Sequence, residues 1–167
     1  QIEALFPFGF ENNYVLLTKS PEILSLQDLK MHCLTYGFDP EFITRPEFTT
    51  LQKCYDISFD NFSIIDTSLL YFALNSGAVD VINTDYTDGR ITKNYHLLPD
   101  IKKCLASYAA TAYASIKTLQ LYPEIQQILL QLRNKISVDE MRNMNRAVEE
   151  GASFESVAHN FVKSLRL

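Results

Sequence analysis

Three tyrosines in this chain stand where an apolar segment meets a polar turn: Tyr14 in Gly9-Phe-Glu-Asn-Asn-Tyr-Val-Leu-Leu17, Tyr86 in Val79-Asp-Val-Ile-Asn-Thr-Asp-Tyr-Thr-Asp-Gly-Arg-Ile91, and Tyr108 in Ala106-Ser-Tyr-Ala-Ala110. A ring at a strand end offers a π-face that attracts a quaternary ammonium group without a compensating anion, at about 0.5–1 kcal/mol exposed and ~2 kcal/mol desolvated. Together with Arg45 the three have the makings of a cation-binding box. On residue type alone the bland reading is that such aromatics cover the core and that Arg45 forms a surface ion pair. The ordered sequence context around them favours a site.

Catalytic readings find no support. His32, His96 and His159 are scattered, with neither a Gly-x-Ser-x-Gly elbow nor a His-Glu-x-x-His pair. The glycines stand singly at Gly9, Gly37, Gly77, Gly89 and Gly151, so no loop can cradle a phosphate. Asp80, Asp85 and Asp88 are close in sequence, but Asp88-Gly89 reads as a turn. Cys33, Cys54 and Cys104 lack metal-ligand spacing and read as small buried hydrophobes, with a disulfide between two of them the alternative. The chain is read as a binding protein without cofactor or metal, not an enzyme.

The elements that must position these residues alternate. Tyr14–Thr18 reads as a strand and Ser25-Leu-Gln-Asp28 as a capping-box-like start of a helix. Thr35–Phe38 reads as the next strand, followed by the Phe42-Ile-Thr-Arg45 turn and a short helix over 50–55. A helix capped by Asp66 or Thr67 runs through Asn75 and stops at Gly77, before a strand over Val79–Asn83. Alternation of this kind predicts an α/β layer with a largely parallel sheet, in which ligands sit beyond the carboxyl ends of the strands, where Tyr86 falls. After about Leu105 the pattern turns helical. Pro123 opens a helix carrying Ile125, Ile128, Leu129, Leu132 and Ile136, and Ser137-Val-Asp-Glu140 is a capping box for a helix with Met141, Met144 and Val148 on one face that ends at Gly151. Ser153 caps a last helix whose Val157, Ala158, Phe161, Val162 and Leu165 form a buried stripe, making the tail a helical layer that seeks a partner surface.

Composition sets the outer limits. With 167 residues, 47% hydrophobic and 21% charged, the chain can bury a core and is not disordered. Its net charge of -5, without a Lys/Arg cluster, argues against a nucleic-acid partner. Apolar runs such as Ala109-Ala-Thr-Ala-Tyr-Ala114 are far shorter than a membrane span. The start at Gln1, with no initiator Met and no export-signal pattern, is what a processed or excised segment would show.

The ordered context resembles the substrate-binding proteins of ABC importers for quaternary ammonium compounds, the glycine betaine, carnitine and choline binding family. Gly9-Phe-Glu-Asn-Asn-Tyr-Val-Leu16 is similar to the family's Gly-Phe-Asn-Asn-Thr-Tyr-Ala-Leu, Phe42-Ile-Thr-Arg45 to its Phe-x-x-Arg turn, and Leu69-Leu-Tyr-Phe-Ala-Leu-Asn-Ser-Gly-Ala-Val-Asp-Val81 to its Leu-x-Tyr-x-Ala-Leu-x-x-Gly-x-Val-Asp-Val segment. Thr87–Ile91, Tyr122-Pro-Glu, Met141 with Asn145, and Val157-Ala158 follow in family order. The resemblance implies an α/β, periplasmic-binding-protein-like fold (type II, Venus flytrap), with one complete lobe plus the C-terminal helical part of the other. Residues 11–105 would form the second lobe. Residues 1–10 and 106–167 would be hinge segments and a partial first lobe, largely helical. It implies further that Tyr14, Tyr86 and Tyr108 are walls of an aromatic cage, and that Arg45 pairs with the ligand carboxylate. Ala106-Ser107 stands where the family has Pro-Pro, and Phe48 and Thr50 where it has glycines. Much of the family's first lobe has no counterpart here. The implied location is periplasmic or otherwise extracytoplasmic, with tethering through a parent chain, and the implied partners are a quaternary ammonium molecule and an ABC permease, with a missing first-lobe segment or self-association covering the tail. The alternative is a non-binding interaction fragment that docks on a permease or a missing lobe.

Overall fold

The computed structural model describes residues 1–165. They divide into two compact units. One comprises Gln1–Asn12, Thr87–Arg90 and the chain from Ser107 onward; the other comprises Asn13–Tyr86 and Ile91–Ala106.

In the first unit, β1 (Ile2–Glu11) pairs antiparallel with β7 (Ala109–Ser115). These are strands where the sequence reading placed a hinge segment and the start of a helical tail. In β1, Phe6 is buried and Phe8 and Phe10 half-buried, while the intervening Pro7 is exposed, the period-two pattern of a strand. Irregularities after Ala4 and Pro7 let the strand accommodate Pro7, which lacks an N–H to donate. β7 is rich in alanine, a helix former in isolation, and tertiary pairing overrides that preference. Four helices follow: α3 (Ile116–Leu121), α4 (Glu124–Leu130), α5 (Val138–Glu149) and α6 (Phe154–Ser164).

The Ser137/Glu140 capping box is present in both halves, and the Ser153 hydroxyl accepts from Ser156 N–H as expected. α4 stops sooner than its apolar spacing suggested. Asn134 takes φ 54°, and the N–H groups of Asn134 and Ile136 donate to the carbonyls of Pro7 and Phe8 at 3.1 and 3.0 Å, so β1 recruits a segment that helical periodicity would have kept. Gly9 permits that approach: its φ is 120°, and a Cβ there would lie 2.8 Å from the Ile136 carbonyl oxygen. The expected stripe of α6 is not buried. Val157, Phe161 and Leu165 are half-buried, and Ala158 and Val162 are exposed.

The second unit holds a five-stranded sheet of β2 (Tyr14–Thr18), β3 (Tyr36–Phe38), β4 (Phe62–Ile64), β5 (Val81–Asp85) and β6 (His96–Leu98), in the order β4-β3-β5-β2-β6. It is mixed rather than largely parallel: β3 runs parallel to β4 and β5, but β2 is antiparallel to both β5 and β6. The reason lies in the chain path. β2 begins where the chain enters this unit and β5 ends where it leaves, and the register Tyr14↔Asp85 puts both at one sheet end, which requires opposite directions. Side-chain alternation feeds two cores. Leu16 and Val81 join the aromatic cluster of Tyr36, Phe38, Phe42, Tyr55 and Phe59, while Leu17 and Ile82 pack with Leu70, Tyr71 and Leu74 of α2 (Leu70–Ser76) on the other face.

Local departures have local causes. Over Ser25–Asp28 the Asp28 carboxylate accepts from the N–H groups of both Leu24 and Ser25, giving a single 3-10 turn at Asp28–Met31 instead of a helix. α1 (Pro46–Tyr55) starts earlier than expected because Pro46 suits the first helical turn. Asp66 is used up in a turn with Ser68, so α2 starts after Leu69; its end at Gly77, φ 75°, is as read. The cysteines are a correction: Cys54 and Cys104 form a disulfide with Cα atoms 6.4 Å apart, and Cys33 is exposed. Spacing alone could not reveal this, because the pairing depends on the segment after Pro99 folding back on the end of α1.

Candidate functional site

Tyr14 opens β2 and is half-buried. Its ring packs tilted against Phe42, centroids 5.1 Å apart. Burial, then the charges of Glu41, Asp39 and Asp85, push its hydroxyl up to about 12, against the opposing pull of Arg45. At neutral pH it is therefore a neutral donor.

Arg45 is placed by a chain of buried bonds that sequence reading missed. Asn83, central in β5, accepts from Asp39 N–H at 2.9 Å and donates its side-chain N–H to the Asp39 carboxylate. The other Asp39 oxygen accepts from the N–H groups of Glu41 and Phe42, both at 2.8 Å, which builds the 3-10 turn Phe42–Thr44. Arg45 follows as the N-cap of α1. The Asp39-Pro40 pair was the available signal, a turn-initiating dipeptide directly after a strand. Arg45 Nε donates to Glu41 Oε1 at 3.0 Å, and a second guanidinium N–H reaches the same oxygen. Its side chain is 47% exposed, so the bland reading of Arg45 as a surface ion-pair member is accurate for this state, and any ligand carboxylate must compete with Glu41.

Tyr86 follows β5 directly. Its N–H donates to the Asn13 carbonyl at 2.9 Å, which keeps Tyr14 and Tyr86 at adjoining ends of paired strands. Three of the four expected residues thus lie in one unit. Tyr108 lies in the other unit, 46% exposed, its carbonyl accepting from Asn12 N–H at 3.1 Å. A small cavity beside Tyr14 is lined by Leu16, Leu26, Leu51, Leu98, Asp100 and Leu105. Among the described residues no His/Cys/Asp/Glu group is arranged to hold a metal ion.

A mixed α/β unit with polar and aromatic groups gathered at one sheet end is the architecture of the type II periplasmic-binding proteins, and solved structures agree. A crystal structure titled as a glycine betaine/carnitine/choline ABC transporter superposes with a TM-score of 0.84 at 29% identity, covering 98% of this chain and 64% of that one. The carnitine transport binding protein OpuCC of Listeria monocytogenes is 33% identical over 148 residues, 83% of this chain and 48% of its own length. The ergothioneine transport permease/ergothioneine binding protein EgtU of Helicobacter pylori is 28% identical over 169 residues, 95% of this chain and 31% of its own length. Residues 2–164 match the model of the OpuAC family, described as the substrate binding domain of ABC-type glycine betaine transport systems, and the chain belongs to that family. The family consists of solute-binding proteins, not enzymes. The chain spans about half the length of the OpuCC protein it matches.

Proposed function

We propose that this chain is the ligand-binding part of an ABC importer's solute receptor for quaternary ammonium osmoprotectants, with Tyr14, Tyr86 and Tyr108 as cage walls and Arg45 as the partner of a ligand carboxylate. The observation that carries this reading is the placement of Tyr14 and Tyr86 at adjoining ends of the β2/β5 pair, with the Arg45 charge near enough to Tyr14 to oppose the upward shift of its hydroxyl. In this reading residues 11–105 are essentially the second lobe, and residues 1–10 and 106–167 belong to the first lobe, which the remaining length of a full family protein completes. An extracytoplasmic location fits the Cys54–Cys104 disulfide, which persists in oxidising compartments. The membrane partner is an ABC permease.

Isothermal titration with glycine betaine, choline, carnitine and ergothioneine, on this chain and on a version extended to the length of its relatives, tests the reading. Glycine betaine should bind the extended protein, and Arg45→Ala should weaken it far more than choline, because only the former offers a carboxylate for a charge-assisted hydrogen bond of about 1.5–3 kcal/mol. Unchanged betaine affinity in Arg45→Ala would leave Arg45 as Glu41's ion-pair partner only. A second reading, a non-binding fragment that docks on another lobe or permease, draws on the exposed Leu121, Tyr122 and Ile128 of α3 and α4 and their junction. It predicts no heat with any of these ligands at either length.

A further inference from the structure

The two residues just before Tyr14 hold both peptide planes that flank Tyr86. Asn13 accepts from Tyr86 N–H at 2.9 Å, and the Asn12 side-chain oxygen accepts from Thr87 N–H at 3.3 Å and from the Thr87 hydroxyl at 2.6 Å. The remaining polar group of Thr87, its carbonyl, receives Asn145 Nδ2 of α5 at 2.8 Å. Every hydrogen-bonding group of this buried threonine is therefore engaged. Two residues on, Arg146 Nε donates to the Gly89 carbonyl at 2.8 Å, which rivets the same loop to α5.

Because the peptide is planar, the Asn12 and Asn145 bonds to Thr87 hold the chain directly after Tyr86, and the Asn13 bond holds its own N–H. We infer that Asn12 and Asn145 are positioning residues for ligand binding: they touch no ligand themselves but, through Thr87, aim the Tyr86 ring. The inference rests on the proposed role of Tyr86 as a cage wall. A cation must stay within ~6 Å of a ring centroid to be held, so a loop free to tilt loses that contact.

The two asparagines use opposite ends of the same amide, which gives a test by one isosteric change. Asn12 accepts, so Asn12→Asp should keep affinity for glycine betaine within about threefold, whereas Asn12→Ala should weaken it about tenfold, the size of one lost hydrogen bond. Asn145 donates, so Asn145→Asp sets a carboxylate against the Thr87 carbonyl and should cost on the order of tenfold or more. In a Tyr86→Leu background these changes should cost less than about twofold, a coupling that general destabilisation does not produce. Titration in the chain extended to the length of its relatives gives the affinities, and exchange of the Thr87 amide in the unliganded protein reads the clamp directly. Wild-type binding with Asn145→Asp unchanged, or equal losses with and without Tyr86, overturns the positioning role while leaving the cage intact. Absence of binding by the wild type to every ligand overturns the cage reading and this one with it. Should Asn145→Asp not fold, the Asn12→Ala and Asn12→Asp pair decides the question.

Discussion

Tyr14 and Tyr86 do different work from one another even though both end up at the same sheet end. Tyr86 has its N–H bonded to the Asn13 carbonyl, whereas the Tyr14 ring packs against Phe42. If cation–π attraction holds the ligand, replacing either ring by Leu should cost about 1–2 kcal/mol of binding, roughly five- to thirtyfold, and replacement by Phe much less. Titration calorimetry on the four variants checks this, and equal losses for Leu and Phe would assign the affinity to hydroxyl hydrogen bonds. The hydroxyls also make an alkaline prediction. Tyr14, Tyr36 and Tyr55 are each raised from 10.0 to about 12, with burial as the leading cause in all three. The folded state then holds these protons more tightly than the unfolded state, so the stability they contribute is complete below pH 10 and is lost as pH rises toward 12. Denaturant titrations across that range, alongside tyrosinate absorbance, should show the decline, and Tyr14→Phe should make it shallower.

At the scale of elements, the crossing loop over Thr87–Arg90 depends on how closely it lies against α5. Asp88 closes the loop on itself by accepting from Arg90 N–H at 2.8 Å, and Gly89 makes the closest approach. A Cβ at Gly89 would stand 2.7 Å from Arg146 Cα and nearer still to Arg146 N, both helix backbone that cannot swing aside. Gly89→Ala should therefore cost about 1–3 kcal/mol of stability, the usual cost of overpacking, read as a shifted denaturation midpoint. An unchanged midpoint would mean that the loop stands off α5 in solution. Arg90 shares this corner with Asp88 and Glu149, and burial followed by the Asp88 charge raises the Glu149 carboxyl above its ordinary value.

Two expectations belong to the molecule as a whole. The Cys54–Cys104 bond closes a loop of sequence separation 50 and ties the segment beside the Tyr14 cavity to the end of α1. Replacing both cysteines by serine should lower stability by about 2–4 kcal/mol in denaturant titrations, with a matching drop on reduction of the wild type. A double variant as stable as the wild type would show that the Tyr55, Asp100 and Lys102 contacts already suffice to hold that segment. The second expectation concerns affinity. A micromolar complex needs about 8 kcal/mol. Three partly solvated rings at ~0.5–1 kcal/mol each and one exposed ion pair at ~0–1 kcal/mol fall well short of it. This 167-residue chain should bind quaternary ammonium ligands only at millimolar concentration or not detectably. Micromolar binding by a strictly monomeric chain would mean that the site is complete as it stands.

Much that is local was legible without coordinates. The Ser137 and Ser153 caps, the stop at Gly77 and the Asp88-Gly89 turn all rest on interactions a few residues apart, where residue type and spacing carry the physics. The family was legible too, through motifs in fixed order. Contacts distant in sequence were not. The β1/β7 pairing joins the start of the chain to a segment distant in sequence and turns that alanine-rich segment into a strand. The antiparallel direction of β2 follows from where the chain enters and leaves its unit, and the Asp39–Asn83 bond that places Arg45 spans 44 residues. The engagement of Arg45 by Glu41 lies between these cases, an i,i+4 spacing visible in sequence but formed only because a buried aspartate builds the turn that presents both side chains. Propensity and pattern act over a few residues, whereas strand direction, cysteine pairing and the partners of a charged side chain depend on which distant backbone arrives beside them, and only the tertiary structure decides that.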